Sequence, residues 1–93
     1  MATSNDQLWT TTAKSLNLAE IRSRSGRSLE QIADTTKISI RFLRAIEAED
    51  FGQLPGGIFS RSYLKQYAEQ IGIEATRLLE TYSIRMSARD GSR

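Results

Sequence analysis

The sequence predicts an all-α protein, a compact five-helix domain that contains a helix-turn-helix. Three observations predict it. Apolar residues recur at three- and four-residue spacing in successive stretches, which is the helical period. Serines stand where those stretches begin and glycines where they end. No stretch alternates apolar and polar residues as a half-buried strand would.

Composition narrows the function classes. A chain of 93 residues makes one small domain with a core that is only just sufficient. Hydrophobic residues at 39% and charged residues at 26% are ordinary for a soluble globular protein. Cysteine is absent, which excludes a disulfide framework and permits a reducing compartment. Histidine is absent too, removing the commonest metal ligand and the best proton carrier near neutral pH. No apolar run approaches the roughly 18 residues of a membrane span, and the N-terminus has no signal-peptide core. A cytoplasmic location is therefore expected. The net charge of +2 does not by itself argue for nucleic acid.

Residues 1–14 form a polar, Thr/Ser-rich lead with no sustained period that reads as mostly disordered, in which Trp9 alone could pack back on the domain. The domain proper is expected over residues 15–84, and residues 85–93 read as a polar basic tail, frayed or a linker. A first helix over Ser15 to Ser25 has Leu18 and Ile21 on its apolar face, and Gly26 as its stop. Arg22, Arg24 and Arg27 cluster at its end, either as a solvated basic terminus or as phosphate contacts.

Ser28 lies three residues before Gln31, the spacing of a capping box, and Leu29, Ile32 and Ala33 then make one apolar stripe. Ser39 can cap a third helix that carries Phe42, Leu43 and Ile46. So few residues separate the two helices that they must cross steeply, as in a helix-turn-helix. Glu47, Glu49 and Asp50 read as a solvated acidic helix end. They lack the glycine-containing oxygen-ligand loop of a cation site. Phe51, Leu54 and Pro55 make an apolar turn before Gly56 and Gly57. A fourth helix from Ile58 to Ile71 places Phe59, Tyr63 and Tyr67 at i, i+4 and i+8 beside Leu64 and Ala68, giving a wide apolar face. Gly72 ends it. A fifth helix from Glu74 to Ser83 buries Leu78, Leu79 and Tyr82, with Ile73 as the staple before it.

No nucleophile, base and orienting group are arranged for catalysis, and no cofactor or metal motif is present, so the chain is expected to be a binding module and not an enzyme. On the third helix Ser39, Ile40, Arg41 and Arg44 would face the major groove of double-stranded DNA. Lys37, Arg22, Arg24 and Arg27 would add phosphate contacts. Between residues 20 and 45 six basic residues face three acidic ones, a local excess of +3. The acidic Glu47, Glu49 and Asp50 would repel the backbone at the far end of that helix. Ordinary solvated charge accounts for Arg41 and Arg44 equally well. A tight operator grip generally takes two copies, so a homodimer accompanies this reading, although no heptad seam marks a dimer face.

Residues 28–47 resemble the helix-turn-helix of the Cro and phage-repressor (Xre-like) class, carried by Leu29, Ile32, Ala33, Ile38, Ser39, Leu43 and Ile46. The resemblance implies a lambda-repressor-like fold. The stretch from Thr35 to Ala68, with D-F-G-Q-L-P-G leading into F-S-R-S-Y-L-K-Q-Y-A, more closely resembles the N-terminal domain of RodZ-type proteins, and G-I-E-A-T-R-L-L-E-T-Y at 72–82 extends it. RodZ-type proteins are bacterial cell-shape factors. Their likeness implies docking onto the actin-like filament protein MreB through the fourth helix, at positions matched here by Phe59 and Tyr63 with Arg61 between them. At helical spacing the same aromatics also suit a core.

Two departures bear on the choice. Xre-like repressors carry leucine and glycine in the turn where this chain has Thr36 and Lys37. Lysine resists positive φ, so an altered turn is expected. Ile40, Arg41 and Phe42 also replace the short polar reading residues. RodZ-type proteins continue into a linker, a membrane helix and a periplasmic part absent from this sequence, which reads as an excised domain or a short soluble member. For a free-standing chain the sequence favours a DNA-binding transcription regulator, with the cell-shape adaptor as the alternative.

Overall fold

The computed structural model describes residues 16–91, with side chains through residue 87. The polar lead and Trp9 lie outside the described residues. Among the described residues five α-helices follow one another: α1 (Leu18–Ser25), α2 (Leu29–Thr36), α3 (Ile40–Glu47), α4 (Gly57–Ile71) and α5 (Ala75–Gly91). A 3-10 turn, Phe51–Gln53, links α3 to α4. Among the described residues there is no strand. The fold is all-α with a helix-turn-helix at α2–α3, as the periodicity predicts.

Start and stop signals act as their chemistry suggests. The Ser28 hydroxyl accepts from the Gln31 amide at 3.0 Å, and the Gln31 side chain accepts from the Ser28 amide at 2.8 Å, a complete capping box. Ser39 caps α3 by accepting from the Arg41 amide at 3.2 Å. Gly26 and Gly72, at φ 80° and 81°, close α1 and α4 in the left-handed region, where a Cβ would be strained.

Three boundaries differ from expectation. Asn17 sits at φ 58°, which is not helical, so α1 starts at Leu18 and not at Ser15. In α4 the first residue is Gly57, because the buried Ser60 hydroxyl accepts from the Gly56 amide at 2.7 Å and fixes the first turn there. Helix α5 continues past Ser83 to Gly91, so seven residues of the expected tail, 85–91, are helical. Arg85 explains part of that extension: it ion-pairs with Glu49 at 2.6 Å and lies over the Phe51 ring.

The core lies where α4 and α5 pack together under the helix-turn-helix. Leu18, Ile32, Leu43, Ile46, Leu64, Tyr67 and Leu78 are all buried. Phe51 meets Tyr82 edge to face, with centroids 5.5 Å apart, and so joins the 3-10 turn to α5. Burial of each large side chain contributes about 1.5–3 kcal/mol. No helix among the described residues is long and apolar enough to cross a membrane.

Candidate functional site

The turn between α2 and α3 keeps the left-handed geometry of a helix-turn-helix despite lacking glycine. Lys37 takes φ 65°, and its amide donates to the Ala33 carbonyl at 2.8 Å. Thr36 holds it there from both sides: its hydroxyl donates to the Ile32 carbonyl at 2.7 Å and accepts from the Ile38 amide at 3.2 Å. The expected alteration of the turn is therefore absent. A side-chain clamp replaces glycine's conformational freedom, at a cost of about 1 kcal/mol for a lysine in this region.

On α3 the expected reading face is only partly available. Arg41 and Arg44 are exposed, and neither forms an ion pair among the described residues. Arg41 lies over the Phe42 ring, 4.9 Å from its centroid. Ser39 and Lys37 are exposed as well. Ile40 is not: it is half buried and packs against the core, beside a shallow groove bordered by Glu30 and Asp34.

The arginine cluster is divided. Arg22 turns inward, and its Nε donates to the Glu47 carboxylate while its Nη1 donates to the Arg27 carbonyl at 3.0 Å. This contradicts a phosphate role for Arg22, whose guanidinium is already spent on the protein. Arg24 pairs with Glu20 at 2.8 Å on the open surface, a contact worth little. Arg27 is exposed. With those pairs formed, four exposed cations (Arg27, Lys37, Arg41, Arg44) face the acidic Glu30 and Asp34.

The acidic end of α3 overturns its expected role as a solvated helix terminus. Glu47 receives Arg22 and the Tyr67 hydroxyl, the latter at 2.6 Å, and its side chain is only 11% exposed. It thus ties α3 to α1 and α4 at once. Burial pushes the Tyr67 phenol far above its usual value, and the Glu47 carboxylate adds to the rise. The hydrogen bond from Arg22 to Glu47 raises Arg22 against the opposing effect of its own burial. Glu49 sits at φ 58° as the left-handed residue of a Schellman-type stop, in which the Asp50 amide donates to the Ala45 carbonyl at 2.8 Å. Its carboxylate accepts from the Leu16 amide at 2.6 Å and pairs with Arg85. Only Asp50 of the three is exposed. The predicted repulsion of a phosphate backbone by Glu47 and Glu49 is therefore largely cancelled.

Helix α4 presents the opposite arrangement. Its aromatic stripe runs from core to solvent: Tyr67 is fully buried, Tyr63 is half buried, and Phe59 is 62% exposed. A four-residue step overshoots a 3.6-residue turn, so two steps rotate the stripe by about 80° around the helix. Ile58, which the sequence did not single out, stands beside Phe59 at 76% exposed. The signal was available in Gly56–Gly57, which makes Ile58 and Phe59 first-turn residues on the side away from Ser60 and Leu64. Tyr63 stacks on Phe42 with centroids 5.7 Å apart, so the α4 stripe joins the α3 surface. Arg61 is exposed and reaches over the Tyr82 ring.

The chain matches the model of a helix-turn-helix domain family over residues 17–78. It is similar to the cytoskeleton protein RodZ of Streptococcus pneumoniae (strain ATCC BAA-255 / R6), with 39% identity over 67 residues, covering 72% of this chain and 24% of that protein. It is also similar to the uncharacterized membrane protein YmfM of Bacillus subtilis (strain 168), with 38% identity over 55 residues, 59% of this chain and 19% of the relative. The chain thus spans about a quarter or less of the length of these relatives. No solved structure matches it significantly.

Proposed function

The chain belongs to the helix-turn-helix domain family, as a domain of the RodZ type, and on that footing we propose that it is a bacterial cell-shape adaptor domain, a binding module without enzymatic activity. It docks through the first turns of α4 onto an actin-like filament protein of the MreB kind, in the cytoplasm. Phe59 enters a pocket on the partner, Ile58 widens the apolar contact, and Tyr63 and Arg61 border it.

One observation carries this reading. Phe59 and Ile58 are large apolar side chains held on the first turn of a rigid helix with most of their surface in water. Neighbouring exposed hydrophobics of this kind mark an interaction surface more often than a solitary one does. The test is co-sedimentation of the chain with purified filaments. Phe59→Ala and Ile58→Ala are expected to abolish pelleting with helix content unchanged. Full binding by both folded variants would refute the assignment.

A double-stranded DNA regulator is the second reading, favoured by the exposed Arg41 and Arg44. It ranks below the adaptor, reversing the order expected from sequence. Arg22 and Ile40 are engaged inside the protein, and Glu30 and Asp34 flank the helix that would approach phosphate. Binding to mixed-sequence duplex that falls steeply with salt, and weakens in Arg41→Ala with Arg44→Ala, would restore it.

A further inference from the structure

An apolar cleft opens between the start of α1 and the corner joining α4 to α5. Its walls are Leu16, Leu18, Ile21 and Ile73, with Glu74 and Arg77 at the rim. The space is about 250 Å³. That is smaller than sites for drug-sized ligands, which start near roughly 300 Å³, and suits a single aliphatic side chain. Ile21 and Ile73 are only half buried, so the cleft keeps apolar surface in water.

The helix that edges this cleft also carries a side chain of the matching kind. On α5, Leu78 and Tyr82 turn into the core. Ile84 follows Tyr82 by two residues, about 200° around the helix, and therefore points away from the core. It is 68% exposed. Ile84 also lies seven residues beyond Arg77, close to two turns, so the apolar knob and the rim of the cleft share one side of α5 about 10 Å apart. Glu80 stands between them. Arg77 and Glu80 are exposed, and neither forms an ion pair among the described residues.

Along this face the order is apolar cleft at Ile73, cation at Arg77, anion at Glu80 and apolar knob at Ile84. Reversed, the order is its own complement. An antiparallel second copy that sets its Glu80 opposite Arg77 also sets its Ile84 opposite Ile73, because both pairs are centred on the same level of the helix, between Leu78 and Leu79.

We propose that this face of α5 is the docking surface for a second copy of the chain. The two α5 helices lie antiparallel, each Ile84 enters the other copy's cleft beside Ile21 and Ile73, and each Arg77 meets the other copy's Glu80. The contact is isologous, so every interaction occurs twice and assembly closes at two chains. Burial of Ile84 drives association, while the exposed ion pairs add little energy and fix the register. The surface does not include Phe59 and is independent of what binds there.

Sedimentation equilibrium of the full chain, from micromolar to millimolar concentration, tests this. The mass is expected to rise from the 10.5 kDa of one chain towards twice that value. Ile84→Asp should hold it at one chain, with helix content unchanged because the side chain faces water. Arg77→Glu and Glu80→Arg should each weaken the dimer at least about tenfold by placing like charges opposite each other. Mixing these two variants, or combining both changes in one chain, should restore it. A parent chain that stays at 10.5 kDa throughout would overturn the proposal and leave the cleft to a side chain of another protein. A dimer that survives Ile84→Asp would overturn it as well, and so would a failure of the charge swap to restore association. If Ile84→Asp unfolds, the charge swap decides alone: restoration supports the α5 contact and its absence refutes it.

Discussion

The C-terminal end of α3 and the N-terminal start of α4 lie close in sequence and dispose of their side chains in opposite ways. At the first, Glu47 and Glu49 are drawn into the protein and ion-paired. At the second, Ile58 and Phe59 stand in water. Polarity alone would have assigned each the other environment. Backbone geometry and long-range partners decide instead. Glu49 is turned inward by its left-handed stop, where the Leu16 amide and Arg85 meet it. Ile58 and Phe59 are held outward because Gly56, Gly57 and the buried Ser60 fix the first turn of α4.

The comparison can be broken most forcefully at Glu47. Glu47→Ala leaves Arg22 and the buried Tyr67 hydroxyl without their acceptor, and should cost about 3 kcal/mol in urea unfolding. Adding Arg22→Ala should then cost little more, because the pair acts as a unit. An additive double mutant would mean that the two side chains stabilise separately.

On the α4 side the large effect falls on binding. Phe59→Ala should weaken filament affinity by about 2 kcal/mol, roughly 30-fold, as loss of a central anchor does. Titration of labelled chain onto filaments checks this.

Alkaline pH sharpens the inward half of the comparison. The Tyr67 phenol is raised above its usual 10.0 in the folded protein. Above pH 10 the unfolded chain therefore releases this proton while the folded one keeps it, and stability falls as pH rises. Its contribution is fully present below pH 10. Chemical unfolding at pH 8, 10 and 11 should show the decline, and Tyr67→Phe should remove the part that comes from this residue.

The smallest effects separate two left-handed residues. Lys37→Gly relieves strain at φ 65° and should stabilise the chain by about 1 kcal/mol. Glu49→Gly relieves the same kind of strain at φ 58° but removes the acceptor for Leu16 and Arg85, so it should destabilise. Thermal melts of the two variants moving in the same direction would contradict this account.

Local signals made most of the fold legible. The Ser28–Gln31 box, the Ser39 cap and the stops at Gly26 and Gly72 act over a few residues, and all were readable from the chain. The inward turn of Arg22 was not. Its partner Glu47 lies 25 residues away, and no periodicity announces such a contact. The α4 stripe was legible as a pattern, but how far around the helix the core reaches depends on where α3 and α5 sit. Tyr67 thus falls inside, Phe59 outside, and Tyr63 on the border against Phe42. At Lys37 the error was of another kind: the local backbone rule was sound, but the Thr36 clamp outweighed it.

Parallel urea unfolding of Phe59→Ala and Glu47→Ala tests most directly the claim that apolar residues face outward on α4 while the acidic end of α3 is structural. Phe59→Ala is predicted to keep the parent stability within about 0.5 kcal/mol, as an exposed substitution does, while Glu47→Ala loses about 3 kcal/mol. The reverse ordering, with Phe59→Ala unfolding easily and Glu47→Ala indistinguishable from the parent, would contradict it.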